Sequence, residues 1–209
     1  MTRFTLVRHG TTQWIEQNRL HGIMDSPLSQ RGILEASSAG LRLAERRYDA
    51  FYTSPIGRAR QTAEIIAQSI GIQPRVLDGL QELNFGWLEG SHHPDFEKDS
   101  LLKKTARLKW MGFIMQVSGE PRRKFHQRVA NTYHWILENH PEQKVLAVTH
   151  TAFHEALLAY ILADDNKQWA KGTSWAAGGI TEFEVTEGGK VQVICINQSD
   201  HLTDIRSYT

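Results

Sequence analysis

The sequence predicts an α/β protein: a three-layer α/β/α sandwich built on a mostly parallel sheet, with a short helical cap insertion. Three observations carry this. Short apolar runs alternate with amphipathic helical segments, two of those runs stop abruptly at a histidine, and the pattern closes with two alternating segments around Glu187-Gly188-Gly189. Strands that alternate with helices form parallel sheets covered on both faces, and a glycine turn between alternating segments signals a hairpin. The 209 residues suit one domain over 1–209, long enough to bury a substantial core.

The first strand is the run from Phe4 to Val7, which ends at Arg8, His9 and Gly10. Ligands in open α/β sheets sit beyond the carboxyl ends of the strands, so Arg8 and His9 fall where chemistry is expected. A polar loop from Thr11 to Pro27 follows. Ser29 then caps a helix reaching about Arg46, with Ile33, Leu34, Leu41 and Leu43 as its apolar stripe. Asp49 to Thr53 forms a short strand. Ser54-Pro55 supplies the N-cap and first helical residue of a helix that Gly71 closes, with Arg58 and Arg60 in or near its first turn.

Arg75 to Leu77 is an edge strand, and Leu80 to Gly90 a loop. From Ser91 to Gly119 the pattern changes to one or two helices of an insertion covering the sheet edge, with Trp110 and Phe113 expected to pack on the main body. Pro121 to Asn139 is a long helix stopped by His140-Pro141. Lys144 to Thr149 is the second buried strand, ending in His150, and a helix over Ala152 to Leu162 follows. Ile180 to Val185 and Lys190 to Ile196 make the closing hairpin.

Composition narrows the function classes. Lys and Arg number 24 against 23 Asp and Glu, a net charge of +1, which offers no footprint for nucleic acid or an anionic membrane. Anion recognition must therefore be local. Only four apolar-leaning residues follow Met1-Thr2-Arg3, too few for a signal peptide, and the longest apolar stretch, Leu157 to Ala163, is far short of a membrane span. A soluble cytoplasmic protein is expected. Cys195 is the single cysteine, so no intrachain disulfide forms, and it is read as a small core residue.

Parallel strands place their carboxyl ends on one side, so His9 and His150 are expected to face a shared pocket. Arg58 joins them from a helix N-terminus, where backbone amides and the dipole favour an anion. Two guanidinium groups and two imidazoles suit a phosphoryl group. Arg8-His9-Gly10, the stretch Ser54 to Ala63, Glu82-Leu83-Asn84-Phe85-Gly86 with Glu89-Gly90, and His150 together resemble the successive signatures of the histidine phosphatase superfamily, also called phosphoglycerate-mutase-like. Asp25 to Ser29 with Gly32, Gly119-Glu120, and Asn197 to Leu202 add weaker echoes. The resemblance covers nearly the whole chain.

The resemblance implies an α/β sandwich, a cap made by residues 91 to 119, and phosphoryl transfer through a phosphohistidine with no metal and no cofactor. In these terms His9 is the nucleophile, attacking as neutral imidazole. Arg8 and Arg58 hold the equatorial oxygens with their planar forks. His150 takes the remaining developing charge, and Glu82 is the general acid. Thr12, at a position that binds phosphate in the family, adds a hydroxyl donor, and His21 and Gly22 match positions that approach substrate. His92, His93, His126, His134, His140 and His154 have no matching partners and are assigned to packing or surface. The four-residue spacing of His150 and His154 suggests a metal face, but His150 ends a strand and no glutamate follows it as in zinc proteases.

The chain also departs from the family pattern. Ile15 stands where many members have asparagine after the tryptophan, Thr151 replaces the glycine after the second histidine and adds a side chain to the pocket wall, Ala152 stands where mutases carry asparagine, and Trp87-Leu88 inverts the usual order. These changes bear on substrate choice more than on catalysis. A small-molecule phosphate ester hydrolysed to inorganic phosphate is the expected substrate, with cofactor-dependent phosphoglycerate mutase the same-fold alternative. A non-catalytic phosphate-ligand-binding or regulatory protein is the alternative of another class. The short cap, whose Lys98, Lys103, Lys104, Arg107 and Lys109 read as a solvated face, favours the phosphatase. The oligomeric state is left open.

Overall fold

The structure, a computed structural model, describes residues 1–92, 101–163 and 175–206. Six strands form one sheet in the order β3-β2-β4-β1-β5-β6: β1 Thr2–Arg8, β2 Ala50–Thr53, β3 Arg75–Val76, β4 Lys144–Thr149, β5 Ile180–Val185 and β6 Val191–Gln198. The pairs β1–β4, β4–β2 and β2–β3 are parallel, while β5 and β6 run antiparallel as the closing hairpin. The described helices are α1 Gln13–Glu16, α2 Gln30–Leu43, α3 Gly57–Ile70, α4 Leu101–Ser118, α5 Arg122–Asn139, α6 Thr151–Ile161 and α7 Thr203–Arg206. Among the described residues no helix is long and apolar enough to cross a membrane.

The period-two geometry of strands sends successive side chains to opposite faces, and here both faces are covered. Phe4 and Leu6 of β1, Tyr52 of β2, and Val145 and Ala147 of β4 pack with Phe125, Val129 and Tyr133 of α5 and Phe153 and Leu157 of α6. Their neighbours Val7, Phe51, Leu146 and Val148 pack on the other side with Ala39 and Leu43 of α2 and Ala63 and Ile66 of α3. This two-sided burial explains the nearly continuous apolar runs and fixes the strand register. In that register Arg8 stands beside Thr149, so the histidines that follow them emerge side by side.

The expected helix signals at Ser29 and Gly71 are present. Ser29 accepts a hydrogen bond from the Gly32 amide at 3.2 Å, and Gly71 ends α3 at φ 74°. Four other expectations need correction. The buried face of α2 matches the expected stripe only at Leu43, which is in the core, since Leu34 and Leu41 are 50% and 69% exposed. Ala36, Ala39 and Gly40 are buried instead, because α2 lies close against α3, and a Cβ on Gly40 would stand 3.3 Å from Ile66 Cα. Small residues choose the face where two backbones must approach.

Ser54 is not the N-cap of α3, which begins at Gly57 after Ile56, although its hydroxyl accepts the Ile56 amide at 3.3 Å. The Ser54 hydroxyl is engaged by His150, and Asp25 Oδ1 accepts the Arg58 amide instead, at 3.1 Å. Among the described residues of the insertion, α4 is not seen to cover the sheet edge. Helix α4 packs on the short turn Gly86–Leu88, anchored where Ser118 Oγ accepts the Trp87 amide at 3.0 Å, and Trp110 and Phe113 stay about 60% exposed. Cys195 is half-buried on the edge strand β6 rather than in the core. His93 and Lys98 lie outside the described residues.

Candidate active site

At the carboxyl ends of β1 and β4 a cavity of about 420 Å³ opens, and Arg8, His9, Arg58 and Glu82 all line it. His9 is positioned twice by backbone: its amide donates to Thr149 O at 3.0 Å, tying it to β4, and its Nδ1 lies 2.8 Å from Gly10 O. A carbonyl only accepts, so Nδ1 carries the proton and Nε2 presents a lone pair. Arg58 Nε donates to that Nε2 at 3.2 Å. Burial holds the His9 pKa well below 6.5, and the Arg58 and Arg8 cations push it down further. His9 is therefore neutral, with its lone-pair nitrogen turned to a guanidinium.

Arg58 is 1% exposed, which is costly for a cation unless its donors are satisfied. Its Nη2 donates to Gly22 O at 2.7 Å, and its Nη1 donates to Met24 O at 2.9 Å and lies 3.4 Å from Asp25 Oδ1. The loop 22–25 is held in turn by Glu89, whose carboxylate accepts the amides of Ile23, Met24 and Phe85. Gly22 sits at φ 61°, and a Cβ there would collide with that carboxylate. The arginine is thus preset by carbonyls from one loop, and the loop by one glutamate.

Glu82 is buried. Its Oε1 accepts its neighbour's amide, Leu83, at 2.9 Å, and its Oε2 accepts the Ala152 amide in the first turn of α6 at 3.3 Å. Burial raises its pKa above the ordinary carboxylate value, and the hydrogen bonds and arginines only partly offset it. Arg8 donates through Nη1 to Trp175 O, while its buried Nε has no partner among the described residues. Burial lowers the pKa values of both arginines.

His150 is fully buried, and although its ring centroid is 5.1 Å from that of His9, it does not line the cavity. Its Nε2 is 2.8 Å from Ser54 Oγ, and its Nδ1 has no partner among the described residues. Burial, with the arginines and neighbouring histidines, keeps its pKa well below 6.5, which favours the neutral ring.

The expected substrate-contact residues divide. His21, Gly22 and Thr151 line the cavity. Thr12 does not: its hydroxyl accepts the Ile15 amide at 3.1 Å as the cap of α1 and pairs with His21 Nε2 at 2.7 Å. The expected phosphate donor is instead engaged in holding His21. Ile15 presents its apolar side chain to the cavity in place of a donor. Neither Trp110 nor Phe113 lines the cavity, so the apolar cap residues give no guide to the substrate body.

Sequence reasoning missed four contributors. Ser54 was hidden by its resemblance to a helix cap, Asp25 and Glu89 act only through contacts distant in sequence, and Glu155 of the cavity wall belongs to no motif. Had the i, i+4 spacing of Thr151 and Glu155 been followed along α6, it would have found the last.

An α/β sandwich with an anion-ready cavity at the carboxyl ends of its parallel strands is the class to which this chain conforms. The sequence model of the Histidine phosphatase superfamily (branch 1) matches residues 4–198, and the chain belongs to that superfamily. Among curated proteins it is similar to "Probable phosphoglycerate mutase GpmB" of Escherichia coli, 42% identical over 92 residues, 44% of this chain and 43% of that protein. The alignment thus spans less than half the length of the curated relatives it matches. Among solved structures it is similar to YhfR of Bacillus stearothermophilus, with TM-score 0.82, 27% identity, and 97% of this chain and 100% of that one covered. A mycobacterial glucosyl-3-phosphoglycerate phosphatase in complex with VO3 shares the fold, with TM-score 0.78, 24% identity and 94% and 99% coverage.

Proposed function

We propose that this chain is a phosphatase that hydrolyses small-molecule phosphate monoesters, by way of a phosphohistidine on His9 and without a metal. The observation that supports this best is the neutral His9 with its Nε2 lone pair beside Arg58, in a cavity shared with Arg8 and Glu82. Phosphate monoesters are dianions with very slow uncatalysed hydrolysis, so charge must be neutralised while a nucleophile is supplied. Arg58 Nε moves from His9 to a phosphate oxygen when substrate enters, which frees the lone pair. His9 Nε2 forms the bond to phosphorus as the ester oxygen leaves, and that oxygen takes the proton of Glu82.

Water then attacks the phosphohistidine. Its proton goes to Glu82, the nitrogen–phosphorus bond breaks, and inorganic phosphate is released. Arg8, with its partnerless Nε, holds a second equatorial oxygen. His150 acts as a neutral donor: Ser54 donates to Nε2, leaving the proton on Nδ1 for the developing charge. Thr151 and Gly22 shape the wall around the ester, and His21, fixed by Thr12, supports it. The raised Glu82 pKa favours its protonated form and the lowered His9 pKa its neutral form, the directions their roles require.

The match to GpmB favours a second reading, a phosphoglycerate mutase, in which the phosphoryl group returns to the substrate rather than to water. Hydrolysis of p-nitrophenyl phosphate with a chelator present, by wild type and by His9→Ala, tests the primary reading. Turnover that survives chelation and disappears in the variant is expected. Unchanged turnover in the variant overturns it. Interconversion of 2- and 3-phosphoglycerate without release of phosphate would select the mutase, and binding without any turnover would select the regulatory alternative.

A further inference from the structure

The cavity carries a charge that phosphoryl transfer does not use. Helix α6 begins beside the nucleophile, and its first turns present Thr151, Ala152 and Glu155 to the cavity, the first and last being four residues apart on one helical face. Glu82 is withdrawn into backbone hydrogen bonds at the base of the same helix. Glu155 is different: it is exposed, and it makes no hydrogen bond or ion pair with the described residues. Its carboxylate is close enough to Arg8 to favour the charged form of that arginine. It is an uncommitted acceptor one helical turn from the phosphoryl end.

The other charged residue on the wall beyond the phosphoryl end, Arg19, is already engaged. Its Nε donates to Gly90 O at 2.7 Å, and its guanidinium lies 4.3 Å over the Trp14 ring. Ile15, Leu20 and Phe85 supply apolar wall. A substrate body that leaves the phosphoryl end along α6 meets the Glu155 carboxylate. On that side a second phosphate or carboxylate would be repelled, whereas an ammonium would find a partner.

Resting on the phosphatase reading above, we propose that Glu155 is a specificity-determining residue that selects phosphate monoesters whose alcohol portion carries a cationic amine, and disfavours those carrying a second anion. Because Glu155 contacts the substrate away from the reacting atoms, it binds ground state and transition state alike, and its effect lies in KM rather than kcat.

The test is the ratio of kcat/KM for O-phosphoethanolamine to that for ethyl phosphate, nearly isosteric esters differing in one ammonium group. The wild type is expected to favour the amine about fivefold, the scale of one partly exposed ion pair. In Glu155→Gln the ratio falls to near one through KM, and in Glu155→Lys it falls below one while 3-phosphoglycerate improves as a substrate. A ratio near one in the wild type, or a ratio unmoved by both variants, overturns this proposal and leaves the phosphatase reading standing. No hydrolysis of any ester by the wild type overturns both. A drop in kcat with the ratio unchanged marks Glu155 as structural, and also overturns the proposal.

Discussion

Arg58 Nε and His9 Nε2 stand 3.2 Å apart, with the guanidinium donating into the lone pair that the Gly10 carbonyl has left free by holding the opposite ring nitrogen. Burial and this cation together keep the imidazole neutral, and the guanidinium occupies its lone-pair nitrogen. Replacing Arg58 with Gln is expected to lower kcat by about 10²–10³-fold, the cost of losing one preorganised donor. It also removes one of the causes that depress the His9 pKa, so that pKa moves up toward 6.5 without reaching it, because burial remains. The acid limb of kcat/KM then shifts to higher pH, and an NMR titration of the His9 ring reports the same direction.

Glu82 makes the opposite prediction for the alkaline limb. Its pKa lies above the ordinary carboxylate value because burial outweighs its hydrogen bonds, and the protonated acid is lost as pH rises through it. Activity toward alkyl phosphates is expected to be highest on the acid side of neutrality. Glu82→Gln should cost about 10²–10⁴-fold with alkyl esters and much less with p-nitrophenyl phosphate, whose leaving group needs no proton. Equal losses with both esters would show that Glu82 does not deliver the proton.

His154 predicts a pH-dependent stability. It is fully buried, its Nδ1 donates to His150 O at 2.9 Å, its Nε2 has no partner among the described residues, and its pKa is lowered to about 4, mainly by burial. A histidine depressed in the folded state is protonated first in the unfolded chain. Its contribution is therefore intact above about pH 6.5 and is lost as pH falls from there toward 4, by up to about 3 kcal/mol. Urea unfolding of wild type at pH 7 and pH 4.5 should show the loss. His154→Phe should reduce it, since the His150 carbonyl still accepts the backbone amide of residue 154.

Gly22 tests the bracing of Arg58. Gly22→Ala combines φ 61° with a collision against the Glu89 carboxylate, and the displaced loop carries the carbonyls that hold Arg58. The expected result is a loss of about 1–3 kcal/mol in stability, accompanied by a fall in kcat/KM and a rise in the His9 pKa. A stability loss with unchanged kinetics would separate the loop from the site.

The most legible parts of the site were those whose positions are set by strand ends. Two apolar runs that stop at His9 and His150 need only a parallel sheet to bring them together, and β1 and β4 are adjacent. What escaped were choices made by partners distant in sequence. Ser54 has the local form of a cap and accepts the Ile56 amide but also bonds to His150, and Thr12 has a hydroxyl in the right stretch but uses it on α1 and His21. Leu34 and Leu41 looked like the core face of α2 until close packing with α3 favoured alanine and glycine. The insertion was visible as a change of pattern, yet the docking of α4 on residues 86–88 depends on a contact that no periodicity encodes.

The central claim is that phosphate passes through His9, and trapping the phosphorylated enzyme tests it most directly. Glu82→Gln mixed with p-nitrophenyl phosphate and quenched during turnover should gain the mass of one phosphoryl group, stable to base, labile to acid and mapped to His9, while His9→Ala gains none and releases no phosphate. A phosphoryl group on another residue, or hydrolysis that continues in His9→Ala, would contradict the account.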